Sequence, residues 1–182
     1  MTGAREVDEG TLQTGSGVRW TQVALGFGGA PRKIAPVSDD EHSADPWVVV
    51  THRVIYGDTD AMGIVYYGTY LRFLEVGRNE YLRAHGGEYR KIEAAGFVLP
   101  VLEVNVRYRA PAEYDDVLRI KTRVGKVSKV QLKFEYEVER ESDGALLVTG
   151  HTSHATLDRE TRKLVRLPEC VTRWLPVARS RG

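Results

Sequence analysis

Two aspartates, three glycines and four tyrosines fall within one short stretch of the chain, Tyr56–Tyr70. A carboxylate can attack a carbonyl carbon or take a proton from water. Backbone N–H groups in a glycine-rich loop can stabilise an oxygen that gains negative charge. An apolar run precedes the stretch and an amphipathic run follows it, which predicts a strand, a tight loop and the start of a helix. The stretch therefore predicts an active site that the other elements support.

Asp60 is the candidate reacting acid of this stretch, although a loop aspartate can equally serve as a turn or capping residue. Tyr67 stands where the helix is predicted to begin. The first N–H groups of a helix have no internal partner and lie at the positive end of its dipole, so the N–H of Tyr67 is the candidate donor to an oxyanion. The Tyr67 ring either positions a substrate or belongs to the core. Gly63 and Gly68 would let chain and substrate approach closely.

Two further groups near the stretch are interpreted as structural. Asp58 is expected to organise the loop by accepting local N–H bonds rather than to react. Glu75 and Arg78 are three residues apart on the predicted helix and can form an ion pair. We favour a structural role for this pair over a role in orienting water.

The hydrophobic pattern predicts the elements that position these groups. Helical spacing covers residues 67–85, with Thr69 as the expected N-cap and Gly77 on the apolar face, where a glycine indicates close packing against a sheet. Shorter helices are predicted over 88–95 and 167–175, and strands over 47–56, 98–109, 117–127, 130–140 and 145–157. Hairpin-like connections between sequential strands predict an α+β fold with an antiparallel sheet and its helices on one face.

Composition and charge argue against several classes of protein. The 182-residue chain has a formal net charge of +1, so nothing global indicates a nucleic-acid or anionic-membrane partner. The single cysteine, Cys170, cannot form an intrachain disulfide, which fits a cytoplasmic protein. No apolar run reaches the length of a membrane span, and the N-terminus does not show the pattern of a secretory signal.

Residues 1–46 differ in composition from the domain predicted over 47–182. They are rich in small and polar residues, so we expect a mostly disordered extension. The alternatives are that Val18–Phe27 docks on the domain or on a partner, or that the assigned start site lies too far upstream. Removal of residues 1–46 is expected to leave activity and melting temperature nearly unchanged.

The glycine- and tyrosine-rich stretch resembles the motif of the 4-hydroxybenzoyl-CoA thioesterase family, closest in style to its bacterial short acyl-CoA thioesterases. The residues that carry the resemblance are Tyr56–Tyr67, Tyr70–Glu75, Arg78, Tyr81–Arg83 and, later in the chain, Tyr108–Asp116. The resemblance spans about residues 47–175. It implies the hotdog fold, in which a curved antiparallel sheet of about five strands wraps around one long central helix. It also implies a homodimer or homotetramer with active sites at the subunit interface.

The resemblance implies a thioesterase that cleaves an acyl-CoA or aroyl-CoA to the free acid and CoA, with no cofactor. Asp60 matches the family's catalytic carboxylate, which either attacks the thioester directly or activates water. The N–H of Tyr67 would then donate to the thioester oxygen. Relatives in the short acyl-CoA branch often carry histidine where this chain has Tyr67.

Coenzyme A carries phosphates, which need cationic partners. Lys126, Ser128 and Lys129, in the turn between two predicted strands, are the candidates, although charged turns are commonly just solvated. Residues that could line the acyl pocket, each of which could equally be ordinary core, are Ile64, Val65, Phe73 and Phe97.

Three other functions remain open at this point. A hotdog dehydratase needs an aspartate–histidine pair, and the first histidine after Asp60 is His85. A non-catalytic acyl-binding protein would have little need for Asp60. A thioesterase that acts on an acyl carrier protein would use the same chemistry on another carrier.

His151 and His154 are predicted on opposite faces of a strand, which is a poor arrangement for a shared metal.

Overall fold

The computed structural model of the protein describes residues 46–175, and the predictions for residues 1–45 and 176–182 lie outside them. Its helices are α1 (Thr69–Ala84), α2 (Tyr89–Ala94) and α3 (Glu169–Thr172), with one 3₁₀ turn at Tyr56–Asp58. Its strands are β1 (Val48–Arg53), β2 (Phe97–Val98), β3 (Val101–Tyr108), β4 (Val117–Val127), β5 (Gln131–Arg140), β6 (Leu146–Ala155) and β7 (Leu157–Asp158). Within residues 46–175, none of the helices has the length and apolarity that crossing a bilayer requires.

Five strands form one sheet in the order β1-β4-β5-β6-β3, and β2 pairs with β7 in a small second sheet. Every pairing between neighbouring strands is antiparallel. β1 and β3 are the edge strands of the large sheet. The end of β1 pairs with the start of β4, where Arg53 lies opposite Val117. The predicted α+β class with an antiparallel sheet of about five strands is confirmed.

Helix α1 packs on the large sheet, mainly against β1 and β4. Its buried apolar side chains recur at helical spacing, as amphipathic packing requires, and they are Tyr70, Phe73, Leu74, Tyr81 and Leu82. At Gly77 a Cβ atom would lie 2.8 Å from Ile120 Cγ2 and even closer to Thr122 Oγ1. The predicted close packing of Gly77 against the sheet is confirmed, because no side chain fits between helix and strand there.

The start of α1 differs from the prediction. Gly68 is the N-cap and already has helical dihedrals, with φ −68° and ψ −26°, so the expectation that Thr69 caps the helix is wrong. Tyr67 and Leu71, predicted on the apolar face, are 62% and 44% exposed. Tyr67 precedes the helix, and Leu71 lies in its first turn beside the buried Tyr70.

The predicted strand 98–109 is two strands, because the chain leaves one sheet and enters the other at Leu99–Pro100. Proline has no N–H to give to a ladder, which suits this transfer. Phe97 therefore lies opposite Asp158 in the small sheet, and Tyr108 lies opposite Val148 in the large one.

Arg78 lies on the buried face of α1. Its side chain contacts two tyrosines rather than its predicted partner Glu75. Its Nε donates to the Tyr89 hydroxyl at 2.6 Å, and its Nη1 donates to the Tyr136 hydroxyl at 3.4 Å. These contacts tie α1 to α2 and to β5. The geometry agrees with the structural role favoured for Arg78.

The same polar network continues to His154. The Tyr136 hydroxyl lies 2.8 Å from Thr152 Oγ1, which lies 2.9 Å from His154 Nε2. His154 Nδ1 lies 3.2 Å from the carbonyl of Leu99. Burial lowers the pKa of His154 to about 4, and the positive charge of Arg78 acts in the same direction. His154 is thus held neutral inside the core.

Candidate active site

Asp60 opens a tight turn directly after the 3₁₀ turn. Its N–H donates to the Ile64 carbonyl and its carbonyl accepts from the Gly63 N–H, both at 2.9 Å. Gly63 has φ +78°, a backbone conformation that residues with a Cβ atom adopt only with strain. The glycine therefore allows the chain to reverse direction here. Asp60 Oδ1 accepts from the Met62 N–H at 2.8 Å. Asp60 therefore caps its own turn, while within residues 46–175 its Oδ2 accepts no hydrogen bond.

Asp60 lines a groove of about 380 Å³. This volume is within the range of small-molecule sites, roughly 300–1,000 Å³. The remaining lining residues are Met62, Ile64, Val65, Tyr67, Tyr70, Tyr108, Arg109, Ala110 and Pro111. The loop and the start of α1 thus form one wall, and the end of β3 with the segment after it forms the other.

The entrance to α1 presents N–H groups that the helix does not use. The Tyr66 carbonyl accepts from the Thr69 N–H at 2.8 Å, and the Tyr67 carbonyl accepts from the Tyr108 hydroxyl at 2.9 Å. Across residues 46–175, no acceptor meets the N–H of Tyr67 or of Gly68. These free donors stand at the positive end of a 16-residue helix, where a negative oxygen is stabilised.

Three tyrosine rings give the groove an aromatic lining. The Tyr108 ring meets the Tyr67 ring edge to face at 6.5 Å and the Tyr70 ring at 5.6 Å. Burial raises the pKa of Tyr70 to about 12 and also raises the pKa of Tyr108. The Tyr70 and Tyr108 hydroxyls therefore remain protonated at neutral pH and can act as hydrogen-bond donors.

Asp58 is fully buried behind the loop. Its Oδ2 lies 3.1 Å from the Ile55 N–H and 3.1 Å from His52 Nε2, and its Oδ1 accepts from Arg72. Burial alone would raise the pKa of Asp58, but the Ile55 and His52 hydrogen bonds and the Arg72 charge hold it below its ordinary value. Asp58 thus joins β1, the loop and α1, which agrees with the predicted organising role.

Of the predicted pocket residues, Ile64 and Val65 line the groove and the two phenylalanines do not. Phe73 is 1% exposed and packs in the core, with its ring 4.4 Å from the His52 ring. Phe97 lies in the small sheet, beside a different surface depression. Spacing alone could not separate these cases, because a core phenylalanine and a pocket phenylalanine look the same in sequence.

The turn of Lys126, Ser128 and Lys129 lies far from the groove within one chain. The groove adjoins the start of β4, where Arg53 pairs with Val117. Lys126 lies near the end of that strand rather than in the turn, and Ser128 and Lys129 follow the strand. At ~3.3 Å per residue, the ten steps of β4 separate the two by roughly 30 Å. Ser128 Oγ accepts from the Gln131 N–H at 3.0 Å and so stabilises its own turn.

The wall formed by Tyr108–Pro111 was missed as part of the site. In the sequence it stands out only as part of the family resemblance over Tyr108–Asp116, and such a pattern does not report which side chains border a groove. Arg109 is the cation among the groove residues, and its Nε donates to Thr149 Oγ1 at 3.3 Å. Within residues 46–175, no carboxylate forms an ion pair with it.

Comparison with known proteins identifies relatives of this domain. The acyl-CoA thioesterase YbgC of Haemophilus influenzae is 32% identical over 120 residues, which cover 64% of this chain and 85% of that protein. The crystal structure of hypothetical protein TT1821 from Thermus thermophilus is 36% identical, with a TM-score of 0.67, and covers 73% of this chain and 98% of its own. DHNA-CoA thioesterase from Staphylococcus aureus is 31% identical, with a TM-score of 0.68, and the match covers 74% and 89% of the two chains.

These relatives confirm the predicted hotdog class of α+β fold and the prediction that the chain is an enzyme of the thioesterase class. The narrower assignment to the 4-hydroxybenzoyl-CoA thioesterase family stays a prediction. The model of the thioesterase-like superfamily matches residues 54–175, which include the loop, α1, the large sheet apart from β1, and the groove. The chain belongs to the thioesterase-like superfamily.

Proposed function

We propose that this protein hydrolyses an acyl-CoA or aroyl-CoA thioester to a free acid and CoA, without a cofactor. One observation carries the proposal: Asp60 lines the same groove as Tyr67, whose N–H meets no acceptor among residues 46–175. Relatives named for acyl-CoA and DHNA-CoA thioesters support this substrate class.

Asp60 is the reacting acid in this proposal. Its Oδ1 is held by the Met62 N–H, and its Oδ2 is left to act on a substrate or on water. In one route the carboxylate attacks the thioester carbon, the C–S bond breaks, the thiolate leaves, and water then hydrolyses the resulting anhydride. In the other route Asp60 takes a proton from water, the hydroxide attacks the same carbon, the C–S bond breaks, and the thiolate leaves and takes up the proton. The geometry suits both.

The N–H of Tyr67 is the proposed donor to the thioester oxygen. That oxygen gains negative charge in either route, and a donor fixed in place beforehand stabilises it without reorganising. The helix dipole of α1 adds to the effect because Tyr67 directly precedes the N-cap. Gly68 gives room to the Tyr66 ring, which a Cβ atom at position 68 would meet at 2.7 Å, and Gly63 shapes the turn that presents Asp60.

Arg109 is the proposed partner for the phosphates of CoA. It is exposed, it lines the groove, and its charge is not neutralised by a carboxylate within the described residues. A guanidinium suits phosphate because it offers several N–H donors in one plane. Lys126 and Lys129 could serve this groove only from another copy of the chain, because β4 separates them from it.

We further propose that the chain works as a homodimer or homotetramer in the cytoplasm. Among residues 46–175, β3 is an edge strand whose outer backbone groups pair with no further strand. Its side chains of Val101, Val104 and Tyr108 are 43%, 44% and 46% exposed. A second copy would cover this apolar edge and the open side of the groove. Light scattering coupled to size-exclusion chromatography tests the assembly.

The proposed reaction is tested by thiol release from a panel of acyl-CoA and aroyl-CoA thioesters. Asp60→Asn keeps an oxygen for the Met62 N–H and removes the reactive carboxylate, so we expect a loss in turnover of at least ~100-fold. Asp143→Asn, in the hairpin between β5 and β6, is the matched control and should keep its turnover. An Asp60→Asn protein that folds and hydrolyses thioesters at the wild-type rate would exclude Asp60 as the reacting acid.

A further inference from the structure

The hydroxyl of Tyr108 reaches across the groove to the backbone of the helix entrance. It donates to the Tyr67 carbonyl at 2.9 Å, although 41 residues separate the two in sequence. Tyr108 is the last residue of β3, so a rigid strand holds it. The hydrogen bond joins the two walls of the groove at the point where α1 begins.

Tyr67 contacts neighbouring rings, with its own ring 4.5 Å from that of Tyr66 and 6.5 Å from that of Tyr108. Its side chain is 62% exposed, so side-chain burial does not fix the position of its backbone. The peptide before Tyr67 is held by the bond from the Thr69 N–H to the Tyr66 carbonyl, and the peptide after it is held by Tyr108. A peptide is planar, so a hydrogen bond to its carbonyl also orients its N–H. With both flanking peptides held, the dihedral angles of Tyr67 are fixed.

The bond also acts on the donor strength of the neighbouring N–H. The Tyr67 carbonyl and the Gly68 N–H belong to one peptide group, and a carbonyl that accepts a hydrogen bond polarises the N–H on its other side. The N–H groups of Tyr67 and Gly68 are both without acceptors among residues 46–175. The Tyr108 hydroxyl therefore influences two adjacent free donors and need not touch the substrate to do so.

We propose that Tyr108 is a positioning residue, whose hydroxyl holds the oxyanion donor of Tyr67 in place for thioester hydrolysis. The proposal rests on the function proposed above. Loss of a whole oxyanion donor costs about 10²–10³ in kcat, and misplacement of reacting groups by ~1 Å costs about 10². Loss of the hydrogen bond from Tyr108 to the Tyr67 carbonyl, here called the clamp, should lower kcat by about 10- to 100-fold. KM should stay within about threefold, because the donor acts mainly in the transition state.

Tyr108→Phe tests the proposal, since it removes one oxygen and keeps the ring that meets Tyr67 and Tyr70. Tyr114→Phe is the matched control, because Tyr114 is an exposed tyrosine whose ring stacks on Tyr56 at 3.8 Å, and it should keep both kcat and KM. Melting temperature and circular dichroism establish that each variant is folded. A folded Tyr108→Phe protein with wild-type kcat would overturn the proposal.

An infrared measurement separates positioning from a general structural role. In the Asp60→Asn background we expect bound benzoyl-CoA to be hydrolysed at least ~100-fold more slowly, so that its spectrum can be recorded. The stretching frequency of its thioester carbonyl falls when N–H groups donate to it. Adding Tyr108→Phe should move that frequency back toward the value in solution, whereas adding Tyr114→Phe should not. An unchanged frequency would contradict the clamp. Failure of the proposed function would appear differently, as a wild-type protein that releases no thiol from any thioester.

Discussion

Asp58 and Asp60 are separated by one residue and lie in opposite environments. Asp58 is fully buried, with bonds to Ile55, His52 and Arg72, and Asp60 borders the groove with one oxygen unused. The 3₁₀ turn that ends at Asp58 creates this separation, because it directs one carboxylate inward and lets the next reach the surface. One motif thus supplies both an anchor for the loop and a candidate reacting group.

Asp58→Ala should destabilise the fold by about 3 kcal/mol. The substitution leaves the Ile55 N–H without an acceptor and removes the carboxylate that offsets the charge of Arg72. Urea unfolding followed by circular dichroism measures the change. Asp115→Asn is the control, because Asp115 pairs with Arg53 on the exposed surface and asparagine tolerates the φ of +71° at this position. Loss of this surface charge should cost less than about 1 kcal/mol. Equal losses for the two variants would contradict the anchoring role of Asp58.

Stability should fall between about pH 6.5 and pH 4 because of His154. The folded-state pKa of His154 is about 4, below its ordinary value near 6.5. The unfolded chain therefore binds a proton in this window that the folded chain does not, so acidification favours unfolding. The loss should reach about 3 kcal/mol near pH 4 and then level off. Urea unfolding at a series of pH values measures it.

His154→Gln provides the control for this pH dependence. The variant has no group that titrates at this position, so its stability should vary less than that of the wild type from pH 6.5 to pH 4. Asp58 acts in a lower window, since its lowered pKa gives stability that is present above its ordinary value and lost as pH falls through the folded one. Parallel curves for wild type and His154→Gln would show that His154 does not cause the loss.

Gly77→Ala should destabilise the protein, although alanine is the better helix former. The added methyl group would collide with Ile120 and Thr122, and overpacking of this kind costs about 1–3 kcal/mol against a gain in helix propensity of up to about 1 kcal/mol. Thermal unfolding measures the result. Val76→Ala, on the exposed side of α1, should change the free energy of unfolding by about 0.5 kcal/mol or less. A higher melting temperature for Gly77→Ala would contradict the tight contact.

Arg109→Gln should raise KM for CoA thioesters by about tenfold and leave kcat unchanged, the scale of one hydrogen bond to a charged group. An N-acetylcysteamine thioester carries the same acyl group without phosphates, so its KM should not change. Arg107→Gln, two residues earlier on β3 and not part of the groove lining, is the control for general charge effects. An equal rise in KM for both thioesters would place the effect of Arg109 on the acyl group rather than on phosphate.

The elements of this fold were predictable because their patterns are local. Residues 117–127 were predicted as a strand and form β4, since alternating apolar residues directly encode a half-buried strand. The role of Asp60 as the reacting acid stays a prediction, which the thiol-release assay tests.

Contacts between distant segments were not predictable in the same way. The Tyr108 hydroxyl meets the Tyr67 carbonyl, and Arg78 meets Tyr89 and Tyr136, only after the sheet has formed. Hydropathy does not report such polar pairs, because a tyrosine scores the same whether its hydroxyl is bonded or free. The distance between the lysine turn and the groove likewise depends on the folded sheet, and the role of Lys126 and Lys129 in CoA binding stays a prediction.

The close contact of Gly77 with β4 also affects the position of the N–H donors at the groove, because both belong to the same helix region. Gly77 lies nine residues beyond Gly68, roughly 14 Å along the helix axis, and its contact with β4 sets the height at which α1 lies. The N–H groups of Tyr67 and Gly68 at the start of α1 shift when the distance between α1 and β4 changes. Natural variation should therefore be correlated at positions 77, 120 and 122: homologues with alanine at 77 should carry smaller residues on β4, so that the helix entrance stays at the level of the reacting carboxylate.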